Sequence, residues 1–224
     1  MYRERIQKDG FIVIKNMFSK EQLYHCRDVI LKYINDHPSK LLLCDKGISI
    51  TNFVDIPDLV CVANLKDSRA LESVLTEIFD GNNYRYCQHN DIGINRIVGW
   101  HKDKLNGVYS KYETVNIWSK LNNEEHEIYK VLIYLQDSNK ELGPKLVPGS
   151  HRTSKVDFKK QQSVNLELGD VLIFDQRITH RGMERQTDTK RTLVSFGFGK
   201  NNIFTDNFEK GTIERQNKQD KRIQ

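Results

Sequence analysis

No apolar stretch in this chain is long enough to span a bilayer, and its longest apolar runs are only of strand length, which argues against a helical membrane anchor. The opening Met1-Tyr2-Arg3-Glu4-Arg5 lacks the apolar centre of a secretory leader, so a cytoplasmic location is the expectation. Cysteine is scarce, and Cys26, Cys44, Cys61 and Cys87 show none of the short paired spacings of zinc knuckles or redox motifs. They read as reduced, buried thiols. Charge of one sign is also lacking. The formal net charge is only +5, the basic residues are mixed with acidic ones, and adjacent basic pairs outside the tail occur only at Lys159-Lys160 and Lys190-Arg191. Neither a nucleic-acid partner nor a membrane partner is indicated. With no internal repeat and no heptad, the expected oligomeric state is monomer or dimer.

What is present suits a globular domain. A length of 224 residues with 38% apolar and 29% charged residues allows one domain with a substantial core. Ser19-Lys20-Glu21-Gln22 matches a capping box, and Leu23, Cys26, Ile30, Tyr33 and Ile34 continue it as a helical apolar stripe until Asp36-His37-Pro38. A second helix should follow Asp67-Ser68, with Leu71, Val74, Leu75, Ile78 and Phe79 on one face and Gly81 at its end. From Tyr84 the pattern changes to short β-rich runs: 92–100, 114–121, 129–135, 164–166, 171–174 and 192–198. Helices before strands give an α+β, mainly β class, with the strands forming an antiparallel sandwich or barrel. The expected organisation is one domain over 1–206, helical to about residue 83 and β-rich over about 84–200. A polar, poorly packed tail is expected over 207–224.

The chemistry concentrates in Gly99-Trp100-His101-Lys102-Asp103, with His180 and Arg191 downstream. Two imidazoles and one carboxylate on one face of a ferrous ion leave its other positions open for a cosubstrate and dioxygen. A second His-x-Asp triplet, His89-Asn90-Asp91, competes for the role. Ligands on a barrel rim belong at strand ends, and the second triplet precedes the apolar run 92–98 whereas His101 and Asp103 close it. His101 and Asp103 are therefore preferred, with His89 and Asp91 as the alternative pair. The turn-rich Asp175-Gln176-Arg177 before His180, and a hairpin returning through Arg191, would bring Arg191 beside that histidine. His151 lies in the turn chemistry of Pro148-Gly149 and is read as structural.

Gly143-Pro144-Lys145-Leu146-Val147-Pro148-Gly149-Ser150-His151-Arg152, placed between the two metal-binding regions, resembles the phytanoyl-CoA dioxygenase family. Gly10-Phe11-Ile12-Val13-Ile14, Trp100-His101-Lys102-Asp103 and Leu168-Gly169-Asp170-Val171-Leu172-Ile173-Phe174 leading to His180 agree with it, over roughly residues 8 to 200. The resemblance implies a double-stranded β-helix of the cupin, jelly-roll kind with supporting N-terminal helices. It also implies iron(II) held by His101, Asp103 and His180, with 2-oxoglutarate as cosubstrate and dioxygen as oxidant. Arg191 stands at the family's offset of eleven residues beyond the distal histidine, where a guanidinium pairs with the far carboxylate of 2-oxoglutarate.

One position departs from the pattern: where many relatives place a hydroxyl two residues after the distal histidine, this chain has Gly182. Tyr134 or Lys130, on the polar face of the strand 129–135, could help bind the cosubstrate, unless that face looks into solvent. The implied reaction is hydroxylation of an unactivated C–H with release of succinate and CO2. Asp103 argues against a halogenase, which would carry a small residue there. Pocket segments 40–57, 104–113 and 181–188 contain Lys46, Lys104, Lys111, Arg181 and Arg185 and suit a small polar substrate, including an anionic one. Two alternatives stand beside this reading: a non-catalytic cupin-type protein binding a metal or small ligand, and a protein side-chain hydroxylase.

Overall fold

Two of the helices begin on serine caps because a hydroxyl there accepts a free backbone N–H of the first turn. In the computed structural model, which describes residues 1–44, 47–113, 125–138, 142–183 and 190–220, Ser19 accepts from the Gln22 amide at 3.1 Å and Ser68 from the Leu71 amide at 3.2 Å. The elements in chain order are α1 (Tyr2–Asp9), β1 (Phe11–Ile14), α2 (Lys20–Asp36), β2 (Leu42–Cys44), β3 (Gly47–Thr51), α3 (Val60–Ala63), α4 (Arg69–Phe79) and β4 (Tyr84–Ile94). They continue as β5 (Ile128–Tyr134), β6 (Lys145–Leu146), β7 (Gln162–Ser163), β8 (Val171–Asp175), β9 (His180–Arg181), β10 (Thr192–Lys200) and α5 (Ile203–Asp220).

The strands form a seven-stranded sheet, ordered β1-β8-β5-β10-β4-β3-β2, and a three-stranded sheet, β7-β6-β9, with every pairing antiparallel. This is the expected jelly-roll class, with α1, α2 and α4 against one face of the large sheet. On β5, Tyr129, Val131 and Ile133 enter the large core shared with α1, α2 and α4, whereas Leu132 and Tyr134 join a second core with Leu146, Phe174 and Ile178 beneath the small sheet. Lys130, Leu132 and Tyr134 thus lie between the two sheets, not in solvent, with exposures of 3%, 8% and 1%. The two-residue period of a strand divides the protein into a dry helical side and an inner side where the polar groups gather. None of the described helices is long and apolar enough to cross a membrane.

Three expectations change. The strand expected over 92–100 is instead β4, which runs from Tyr84 to Ile94, so His89 and Asp91 lie inside a strand and 95–100 is irregular apart from a bridge from Ile97 to Met183. Part of the expected 164–166 strand is a single bridge between Leu166 and Ser138, while the strand 114–121 lies outside the described residues. The expected tail from 207 is largely α5, an eighteen-residue helix packed on β4. Apolar periodicity failed to signal it because its buried face includes Thr212 and Gln216 alongside Phe208. Gly211 sets the close approach, since a Cβ there would stand 2.4 Å from Leu105 Cδ1.

Candidate metal centre

His101 and His180 meet across a single antiparallel bridge, each backbone amide donating to the other's carbonyl at 2.9 Å. The Asp103 amide donates to the Gln176 carbonyl at 2.8 Å, which holds the 101–103 segment to the turn before β9. A long loop and the entry to a short strand are thereby locked together, with the Lys102 ammonium adding a bond to the Arg177 carbonyl at 2.7 Å. The side chains converge: one ligand atom from each of His101, Asp103 and His180 lies within 4.8 Å of the others. His101 Nε2 is 3.2 Å and His180 Nε2 3.8 Å from the same Asp103 Oδ1.

The donor set fits a divalent metal. His101 Nδ1 is bonded to the Gly99 carbonyl at 2.8 Å and His180 Nδ1 to the Ile178 carbonyl at 3.0 Å. A carbonyl can only accept, so both Nδ1 atoms carry the proton, and each ring in its neutral form turns an Nε2 lone pair toward the carboxylate. Two lone pairs and an anionic oxygen facing one another need a cation between them. Burial opposes ionisation of Asp103, but Lys130, His180 and His101 outweigh it and hold the carboxyl well below the usual range. Burial pushes His180 down to about 4 despite the attraction of Asp103, whereas for His101 the Asp103 carboxylate overcomes burial and raises the value.

Arg191, 3% exposed, immediately precedes β10 beside this centre. Asn95 Oδ1 accepts its backbone amide at 2.7 Å, and its Nη2 donates to Tyr134 Oη at 2.8 Å with the guanidinium 4.9 Å from the Tyr134 ring centre. Its buried Nε has no hydrogen-bond partner, and among the described residues no carboxylate pairs with it. A buried guanidinium in that state fits an incoming carboxylate. Tyr134 supplies a hydroxyl to this arginine, so Gly182 need not. Lys130 Nζ lies 3.7 Å from Asp103 Oδ2 and also contacts His89 Nε2, with burial pushing it down to about 8 against the pull of Asp103.

All six residues expected from the sequence line one cavity of about 240 Å³. The alternative triplet is arranged otherwise: Asp91 pairs with Arg96 at 2.6 Å and accepts from Ser49, and His89 lies between Lys130 and Arg215. His151 is bonded to the Gln7 carbonyl at 3.0 Å behind Gly10, outside the cavity lining. Lys104 is exposed and Lys111 pairs with Glu214 at 3.0 Å, so of the expected basic pocket residues the described cavity takes Arg181. Lys46 and Arg185 lie outside the described residues. The lining residues Arg96, Arg215 and Gln219 escaped sequence reasoning, because nothing local marks a residue brought in by long-range packing.

A model of the family described as phytanoyl-CoA dioxygenase (PhyH) matches residues 6–193. Among solved structures, HygX from Streptomyces hygroscopicus with nickel and 2-oxoglutarate bound is similar at 16% identity and a TM-score of 0.68, covering 89% of this chain and 87% of HygX. SnoN, the non-heme alpha-ketoglutarate-dependent epimerase of nogalamycin biosynthesis, gives 13% identity and 0.68 over 89% of this chain and 81% of its own. EvdO2 from Micromonospora carbonacea var. aurantiaca, complexed with 2-oxoglutarate, gives 15% and 0.60 over 88% of each chain. No curated protein matches the sequence. At such identities the structural likeness speaks for the fold.

Proposed function

The chain belongs to the phytanoyl-CoA dioxygenase family, and from that premise we propose that it is an iron(II)- and 2-oxoglutarate-dependent dioxygenase hydroxylating an unactivated C–H of a small polar molecule. The observation that carries the reading is the pairing, in one cavity, of a convergent His101, Asp103 and His180 set with a buried Arg191 lacking an acidic partner among the described residues. His101, Asp103 and His180 would hold iron. Arg191, steadied by Tyr134, would take the far carboxylate of 2-oxoglutarate. Iron with 2-oxoglutarate and dioxygen supplies the oxidising chemistry, with succinate and CO2 as coproducts.

The chain's own residues do the rest. The Gly99 and Ile178 carbonyls keep the Nδ1 atoms of both imidazoles protonated, so in the neutral rings Nε2 is the nitrogen left for a metal. Lys130 compensates the second oxygen of Asp103 and keeps the carboxylate anionic in a buried place. Leu132, Phe174 and Leu193 give the cavity an apolar floor that limits water beside the reacting atoms. A binding protein without turnover would have no need of a cosubstrate arginine behind an open metal face, which favours catalysis over mere binding. HygX has been crystallised with hygromycin B and SnoN with nogalamycin RO, so small-molecule ligands are familiar on this fold.

The decisive experiment is an anaerobic titration of the metal-free protein with iron(II) and 2-oxoglutarate, following the weak visible charge-transfer band of the chelate. The band should form, vanish in His101→Ala, and need more 2-oxoglutarate in Arg191→Ala. A wild-type protein that binds iron and develops no band would sink the reading.

A further inference from the structure

The wall of the cavity opposite the small sheet includes a helix that lies beyond the family-matched residues 6–193. α5 is fastened from several directions: Arg85 pairs with Asp206 and Glu209 at 2.7 Å each, Glu214 accepts from Tyr112 and pairs with Lys111, and Gln216 Nε2 donates to the Asn90 carbonyl at 2.9 Å. With Gly211 pressed against Leu105 and Tyr112, the helix has little freedom to retreat. It thereby presents Arg215 and Gln219 to the cavity that holds the metal centre.

Among the described residues, the charges lining this cavity do not balance. Arg96, Lys130, Arg191 and Arg215 face it, against the acids Asp91 and Asp103, while Arg181 is held by contacts of its own. Asp91 is taken by Arg96 and Asp103 by Lys130 and the two histidines. Arg191 awaits the cosubstrate, and the Arg181 guanidinium lies over the Trp100 ring at 5.7 Å. Iron(II) together with doubly ionised 2-oxoglutarate adds no net charge, so the surplus persists in the loaded protein.

The hydrogen bonds locate it. Arg215 Nη2 approaches His89 Nδ1 at 3.2 Å, while Lys130 Nζ contacts His89 Nε2. Ammonium and guanidinium groups only donate, and a neutral imidazole accepts at one nitrogen only, so His89 cannot satisfy both neighbours. Burial, Lys130 and Arg215 all hold His89 in its neutral form. In addition the buried Arg215 Nε has no hydrogen-bond partner, and among the described residues no carboxylate pairs with this side chain. A half-buried guanidinium so placed lacks acceptors that a ligand could bring.

We infer that Arg215 anchors an oxyanion of the primary substrate, which is therefore a small molecule carrying a phosphate, sulfate or carboxylate group. Gln219, one turn further along α5, stands beside the anchoring point as a second polar contact. The anion would sit at the α5 wall and direct the remainder of the molecule toward His101, Asp103 and His180. This assignment of substrate class rests on the oxygenase reading above.

The test uses the full chain loaded anaerobically with iron(II) and 2-oxoglutarate, into which methyl phosphate, acetate and neutral trimethyl phosphate are titrated separately by calorimetry while the visible band is followed. Wild type should bind methyl phosphate or acetate and ignore trimethyl phosphate, the preferred anion telling a phosphate-bearing from a carboxylate-bearing substrate. Arg215→Gln should weaken that binding about tenfold or more, as expected for loss of a hydrogen bond to a charged group, and Arg215→Lys should recover part of it. Unfolding midpoints of both variants would show that the helix is still in place. Equal anion binding in wild type and Arg215→Gln, or no anion binding by wild type while the band is intact, overturns this inference and leaves the cofactor reading standing. Absence of the band itself would instead indict the cofactor reading.

Discussion

The chain spells His-x-Asp twice, at 89–91 and at 101–103, and both copies face the same cavity. Their fates differ because of the backbone that carries them. Asp91 lies within β4 opposite Ser195, and His89 sits in the same strand at a bulge where the pairing with β10 shifts between Tyr86 and Asn90; each side chain meets its own partners, Lys130 and Arg215 for His89, Arg96 and Ser49 for Asp91. His101 and Asp103 lie in an irregular segment pinned by backbone bonds to residues 176 and 180, which lets Nε2 and Oδ1 approach to 3.2 Å with His180 Nε2 alongside. A metal needs donors converging on a point, and a regular strand spreads its side chains along a line. The two triplets show that a ligand motif becomes a ligand set only where the strand lets go.

The largest effect should come from breaking the 101–103 triplet. Removing an iron ligand in His101→Ala forfeits about 4 kcal/mol of transition-state stabilisation, so 2-oxoglutarate turnover should fall about a thousandfold, whereas His89→Ala should retain the iron and 2-oxoglutarate band. Retention of the band by the first variant and its loss in the second would reverse the comparison. Next in size, Arg191→Ala should raise the apparent dissociation constant for 2-oxoglutarate by roughly ten- to a hundredfold, and Tyr134→Phe by a smaller factor, as judged from the midpoint of the band titration.

The strand copy has a pH consequence of its own. His89 is held neutral well below its ordinary value of 6.5, so below that pH an unfolded chain takes up a proton that the folded chain refuses. The stability this histidine contributes is present above pH 6.5 and declines as the pH falls, by at most about 1.4 kcal/mol per pH unit. Urea unfolding at pH 7 and pH 5.5 should therefore show a smaller acid loss in His89→Gln than in wild type, and an identical loss would deny His89 its buried place. Smallest of all, Asp91→Asn should cost about 1 kcal/mol at neutral pH by leaving Arg96 without its carboxylate, half-exposed as that pair is. Thermal unfolding would detect it.

Much of this was legible from local signals. Ser19 and Ser68 announce their helices because a cap acts over three residues, and the family resemblance rested on short stretches that stand in order along the chain. The meeting of His101, Asp103, His180 and Arg191 could be anticipated for the same reason, since each sits within a recognisable motif. Lys130 and Tyr134 were ambiguous: alternation on β5 separates two faces, but only the presence of the small sheet determines that the polar one is covered. α5 was missed because its packing relies on Gly211, Thr212 and Gln216, residue types that look the same in a tail and in a tight helix contact. β4 begins earlier than its apolar run because Tyr84, Arg85 and Tyr86 pair with β10 on long-range grounds.

The edge strand β1 carries a consequence for how the molecule is made. Phe11 pairs with Phe174 and Ile14 with Val171, so among the described residues β1 has no strand partner until β8 has been synthesised. At translation speeds of about 5 to 20 residues per second that interval lasts on the order of ten to thirty seconds, during which Phe11-Ile12-Val13-Ile14 is a bare apolar segment between two helices. Newly made chains are thus most exposed to aggregation before their catalytic half exists, and a chaperone that shields β1 would act on yield while leaving the finished enzyme's chemistry untouched.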